Sequence, residues 1–168
     1  MRRSACAFLL AVLCGFAAGC GEEENMPDPT DQRPAAPDFT LLSAEGTMVS
    51  LSEYEGHVVF VNFWASWCPP CRIEMPHLQE LFEAHADKNF VILAVSLDDP
   101  FEPDAPAFAA ELGLTFPVLK GTAEVNEAYG SITAIPTTFV IDRQGRIAET
   151  LLGEQPYEIF EAALLRHL

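Results

Sequence analysis

Basic residues are scarce. Nine lysines and arginines stand against 25 aspartates and glutamates in 168 residues, a formal net charge of −16. Such a chain repels phosphate backbones and anionic head groups, which excludes nucleic-acid binding. A long apolar run is also missing: the strongly apolar block Ala5 to Ala18 has 14 residues, short of the ~20 that a membrane-spanning helix needs. Histidine is limited to the scattered His57, His77, His85 and His167, and no second cysteine pair accompanies Cys68 and Cys71. The roughly four ligands of a zinc site are therefore not assembled, and no metal is expected. Internal repeats are absent. What is there is 49% hydrophobic residues, enough to close one core in a chain with room for one domain of ordinary size.

The N-terminus reads as an address. Met1-Arg2-Arg3 is a positively charged start, the apolar block follows, and it ends in the small residues Ala17-Ala18-Gly19 before Cys20. This is the layout of a secretory signal peptide. Phe16-Ala17-Ala18-Gly19-Cys20 resembles the bacterial lipobox, which implies cleavage after residue 19 and lipidation of Cys20; a plain signal peptide or a short uncleaved anchor are the alternatives. Cleavage would remove Cys6 and Cys14 and lipid would consume Cys20, leaving Cys68 and Cys71 as the free sulfur. Loss of Arg2 and Arg3 takes the charge from −16 to −18, so acyl chains and not electrostatics would hold the membrane. Residues 20–36 then form a tether. Its glutamates and aspartates and Pro27, Pro29 and Pro34 leave almost nothing apolar to bury, and at about 3.1 Å per residue it reaches roughly 50 Å.

The folded domain is expected over residues 37–168. Asp38 to Ser43 and Thr47 to Leu51 flank Ala44-Glu45-Gly46 as a β-hairpin. Val58-Val59-Phe60-Val61, within His57 to Ala65, is a continuous β-branched and aromatic run suited to a buried central strand, and Phe90 to Leu97 repeats the signature. Between them Cys68 to about Ala86 reads as a helix with Ile73, Leu78, Leu81, Phe82 and His85 at helical spacing and a kink at Pro76. A short helix capped by Asp104 carries Phe108 and Leu112, and the strand Phe116 to Leu119 and a helix from Ala123 to Tyr129 follow. Thr137 to Ile141 and Ile147 to Leu152 form a hairpin around Asp142-Arg143-Gln144-Gly145, and Pro156 opens a last amphipathic helix. Strand-helix-strand crossovers of this kind make an α/β fold with helices covering the faces of a sheet.

The chemistry concentrates in Trp67-Cys68-Pro69-Pro70-Cys71. A Cys-x-x-Cys between a buried strand and a helix puts the first sulfur at the helix N-terminus, where free N–H groups and the dipole favour a thiolate. Cys68 is the candidate nucleophile. Cys71, one turn later, is the candidate resolving thiol that attacks a mixed disulfide at Cys68. A purely structural disulfide is the competing reading, but closing a two-residue loop adds little stability. Pro69 and Pro70 cannot donate an N–H, so the Cys68 sulfur keeps donors only from Cys71 onward. With no histidine between the cysteines, the expected Cys68 pKa is about 7 to 9 and not the roughly 3.5 of a strong oxidant, which makes the dithiol a reductant.

Val61 to Pro76, with the segments Pro37-Asp38-Phe39-Thr40-Leu41 and Ile135-Pro136-Thr137-Thr138-Phe139-Val140-Ile141-Asp142, resembles the TlpA/ResA-like thiol-disulfide oxidoreductases of the thioredoxin superfamily over essentially all of residues 37–168. The resemblance implies a thioredoxin-like fold with a central mixed β-sheet flanked by helices, an N-terminal hairpin and a central helix-strand insert. It implies that Pro136 follows a cis peptide bond opposite Cys68 and that the Ile135 backbone pairs with an extended substrate strand. Trp67, Pro69 and Pro70 would line the same docking surface. Glu74 matches the family's active-site glutamate. One turn from Cys71, it would tune thiol pKa values or relay a proton, or it is simply an acid suited to a helix's first turns. Asn62 stands where thioredoxin itself has a buried acid. His77 and Arg72 read as ordinary helix residues, and Trp64 as core.

The expectation is thus a membrane-tethered, extracytoplasmic reductase of the bacterial cell envelope. It would act on disulfide-containing proteins such as an apocytochrome c, draw electrons from a membrane thiol-disulfide carrier, and need no cofactor beyond the Cys68-Cys71 couple. Three rivals use the same residues differently. A disulfide-forming oxidase differs in redox potential. A peroxiredoxin-like peroxidase usually has Thr where Ala65 stands. A copper-delivery module would need ligands near the cysteines, where Met75 is the one nearby sulfur beyond the pair.

Overall fold

The computed structural model describes residues 32–98 and 105–168; the signal peptide, Cys20, most of the tether and the Asp104 cap lie outside them. Strands β3 (Val58–Trp64) and β4 (Phe90–Ser96) are the two apolar runs and are buried along their whole length. They pair in parallel, Val58 opposite Phe90 through Trp64 opposite Ser96. Helix α1 (Pro69–Ala84) makes the crossover between them.

Around this pair the sheet has the order β5-β4-β3-β6-β7. Strand β5 (Val118–Lys120) joins β4 in parallel, while β6 (Thr137–Ile141) and β7 (Ile147–Leu152) are antiparallel, so the sheet is mixed. The insert between β4 and β6 contains α2 (Ala105–Glu111), β5 and α3 (Ala123–Ala128). Helix α4 (Tyr157–His167) closes the chain. The N-terminal hairpin, β1 (Thr40–Leu42) and β2 (Met48–Ser50), is a separate two-stranded sheet, followed by a 3-10 helix at Leu51–Tyr54.

Alternation along β3 divides the core in two. Val58, Phe60 and Trp64 face the layer formed by α1, α2 and α4, with Met75, Leu78, Phe108 and Phe160. Val59, Val61 and Phe63 face the hairpin layer, with Phe39, Leu41 and Tyr129. Asn62 shares the parity of Phe60 and Trp64, so a polar side chain is delivered into the helix-covered face.

The buried stripe of α1 is Cys71, Glu74, Met75 and Leu78, the i, i+3, i+4, i+7 pattern. Ile73 lies about half a turn away from it and is exposed, which corrects its placement on the apolar face. The helix continues past Pro76, whose missing N–H falls on an exposed position. Among the described residues no helix is long and apolar enough to cross a membrane.

Candidate active site

Parallel strands β3 and β4 end together, and the turn after β3 leads directly into α1. Cys68 is the N-cap of that helix, with Pro69 and Pro70 as its first residues. Proline suits that place because its fixed φ is already helical and the first-turn N–H groups have no intrahelical acceptor. Cys68 and Cys71 are joined by a disulfide, with Cα atoms 5.3 Å apart. The first amide available to the sulfur is that of Cys71, whose N–H donates to Cys68 Sγ at 3.3 Å.

Ile135-Pro136 is a cis peptide bond. It brings the Ile135 carbonyl oxygen to 3.8 Å from Cys68 Sγ. Cys68 is nearly covered at 3% exposure, whereas the adjacent Trp67 is 56% exposed. Leu152, at the end of β7 and paired with Thr137, is also exposed. Gly153 N–H donates to the Pro136 carbonyl at 2.8 Å, tying the loop after β7 to the cis-proline turn.

Beneath this surface Glu74 is fully buried. Its Oε1 accepts from Asn62 Nδ2 at 2.8 Å and its Oε2 from the Gln155 N–H at 3.3 Å. Burial pushes the carboxyl up to about 8; the Asn62 and Gln155 hydrogen bonds oppose this, and the charge of Glu154 adds to it. At neutral pH the group is therefore mostly a neutral acid, one turn along α1 from the buried Cys71. The Asn62 amide also donates to Thr138 Oγ1 at 2.9 Å, linking β3, β6 and α1 through one side chain.

His77 is half-buried with Nδ1 3.4 Å from the Gln155 carbonyl oxygen. Arg72 donates to the Ser66 carbonyl at 3.2 Å and lies 4.0 Å over the Phe108 ring. Trp64 and Met75 are in the core, and Ala65 is buried. Among the described residues no cluster of three or more His, Cys, Asp or Glu is arranged for a metal ion. Two contributors had no signal in the sequence. Gln155 acts on Glu74 through its backbone, which any residue but proline supplies, and Asp98 contacts the turn before Cys68 only through strand register.

A mixed five-stranded sheet with a cysteine pair at the start of its crossover helix and a cis-proline opposite defines the class: a thioredoxin-like protein built for dithiol-disulfide exchange. Residues 33–150 match the AhpC/TSA family. Thiol-disulfide oxidoreductase ResA of Geobacillus thermodenitrificans is 40% identical over 124 residues, 73% of this chain and 70% of that protein. ResA of Bacillus cereus is 37% identical over 164 residues, 93% of this chain and 91% of that protein. The crystal structure of a thiol:disulfide interchange protein of the thioredoxin family from Chlorobium tepidum superposes with a TM-score of 0.75 at 28% identity, covering 81% of this chain and 97% of that one. The chain belongs to the AhpC/TSA family and, within it, is a thiol-disulfide oxidoreductase of the ResA kind.

Proposed function

We propose that the chain reduces disulfides in other proteins outside the cytoplasm, held to a bacterial membrane by lipid on Cys20. In this reading reduced Cys68 attacks one sulfur of a substrate disulfide as a thiolate, and the other substrate sulfur leaves as a thiolate and takes up a proton. Cys71 then gives up its proton to water, or to Glu74 where that group is ionised, and attacks Cys68 Sγ. The Cys68-Cys71 disulfide closes, the second substrate sulfur is released, and two electrons have passed to the substrate. The Ile135 backbone, ahead of the cis bond to Pro136, is offered to an extended substrate strand, with Trp67, Pro69 and Pro70 as the apolar border. Cysteines of an apocytochrome c are the substrate class implied by the ResA resemblance, and a membrane thiol-disulfide carrier is the electron source.

The observation that carries the direction of electron flow is the start of α1. Pro69 and Pro70 remove two N–H groups next to the sulfur, so that the Cys71 amide at 3.3 Å is the nearest backbone donor. A thiolate so little stabilised leaves the disulfide form comparatively stable, the property of a reductant. The test is the equilibrium reduction potential of the Cys68-Cys71 couple against defined thiol buffers. A value near or below about −220 mV is expected; one near about −120 mV assigns the protein to disulfide formation instead.

A further inference from the structure

We infer that Asp98 is a positioning residue for Cys68, acting through Ser66 on the turn that presents the reactive sulfur. The placement follows from register. Trp64 and Ser96 are partners at the ends of β3 and β4, and the ladder is extended by the Leu97 N–H on the Trp64 carbonyl at 2.8 Å. Two residues further along each chain, Ser66 and Asp98 therefore meet.

The Asp98 carboxylate accepts the Ser66 N–H at 3.0 and 3.1 Å to its two oxygens, and the Ser66 hydroxyl at 2.6 Å. It also accepts the Ser96 hydroxyl at 2.5 Å, while its own N–H donates back to Ser96 Oγ at 3.1 Å. Ser96 is a firm base for this arrangement, since its carbonyl receives the Gly121 N–H at 2.9 Å from the end of β5. On the opposite side Arg72, braced on Phe108, holds the Ser66 carbonyl. Ser66 is thus gripped by an anion at its N–H and hydroxyl and by a cation at its carbonyl. Charge-assisted bonds of this kind are the stronger class of hydrogen bond. The turn closes with the Cys68 N–H on the Ala65 carbonyl at 3.1 Å. A residue held at three groups, two positions before the nucleophile, fixes where Cys68 sits relative to the Cys71 amide and the Ile135 carbonyl. Without the carboxylate the turn can relax, the thiolate loses part of its amide contact, and attack slows. The inference rests on the dithiol chemistry of the family and not on the direction of electron flow, so the reduction potential and the following test fail independently.

The test compares the reduced full-length wild type with Asp98→Ala, Asp98→Asn and Ser66→Ala. Alkylation of Cys68 by iodoacetamide is followed across pH by peptide-resolved mass spectrometry, which separates it from the other cysteines. Reaction with dithiobis(nitrobenzoic acid) gives the rate of attack on a disulfide. For Asp98→Ala the alkylation midpoint is expected to move to higher pH and the disulfide reaction at pH 7 to slow about three- to tenfold. Asp98→Asn, which retains one acceptor, should recover part of both, and Ser66→Ala, which retains the backbone bond, should show a smaller change in the same direction. An unchanged midpoint and rate would mean that Asp98 only holds the fold, and a midpoint moved to lower pH would mean that it acts as a charge; either overturns the inference. Where circular dichroism shows that Asp98→Ala has not folded, Ser66→Ala decides by the same criteria.

Discussion

Glu74→Gln offers the most direct test of the buried acid, through stability and not activity. Glutamine keeps the shape of the side chain and cannot ionise. In the folded oxidised protein the Glu74 carboxyl titrates at about 8, against an ordinary value of 4.5. Below 4.5 both folded and unfolded chains hold this proton. Between 4.5 and about 8 the unfolded chain releases it while the folded chain retains it, so the folded state binds more protons and stability falls as pH rises. Above about 8 the loss is complete. At about 1.4 kcal/mol per pH unit, that span amounts to on the order of 5 kcal/mol, comparable with the whole stability of a small domain. Urea unfolding of the oxidised wild type and Glu74→Gln at pH values from about 4 to about 9 reads this directly, because every other titrating group is common to both and cancels in the difference. Wild type should lose ground to the variant steadily across the window and then run parallel to it. A difference that stays constant between pH 5 and 8 would show that Glu74 ionises as an exposed glutamate does, and would refute its assignment as a buried neutral acid.

Other expectations follow from the same geometry. Resolution of a mixed disulfide by Cys71 should accelerate towards about pH 8, where Glu74 becomes a carboxylate able to take the proton, and stopped-flow of Glu74→Gln should lack that limb. Pro70→Ala restores an N–H in the first turn of α1 and should lower the Cys68 pKa by about half to one unit, read from thiolate absorbance. Trp67→Ala should slow reaction with a protein disulfide more than with oxidised glutathione, since the exposed indole offers contact area that only a larger partner reaches. Gly121→Ala should destabilise the fold by about 1 to 3 kcal/mol in urea unfolding, because a Cβ there would stand 2.5 Å from the Ser96 carbonyl oxygen.

The sequence exposed what depends on local pattern. The runs at Val58 and Phe90 became β3 and β4 because side chains buried on both faces leave an uninterrupted apolar signature. The helix start was legible because Cys-Pro-Pro-Cys combines a cap with prolines in the first turn. Glu74 was harder: as a sequence position it is equally an acid of an early helical turn, and only the loop after β7 and the amide of Asn62 reveal that it is sealed from water. Ile73 shows the opposite limit: helical spacing groups it with Leu78 and Leu81, while the buried stripe through Cys71 and Glu74 leaves it exposed. Asp98 was not legible because its partner is chosen by the register of two parallel strands, and register is a property of the sheet and not of either segment.

The connection from Gly153 to Pro156 touches the reaction centre twice, at the Pro136 carbonyl through Gly153 and at the Glu74 carboxyl through Gln155. Both contacts are made by backbone amides, and the Gln155 side chain fastens the loop to itself through the Leu152 and Gly153 carbonyls. The loop therefore contacts both the outer surface, where a partner strand would lie, and the buried acid beneath it. A displacement of the cis-proline turn would reach, through this loop, the Gln155 amide that hydrogen-bonds Glu74, and occupancy outside would then be coupled to acidity inside. Substitutions in these few residues would be expected to change the acidity of Glu74 while leaving both sulfur atoms in place.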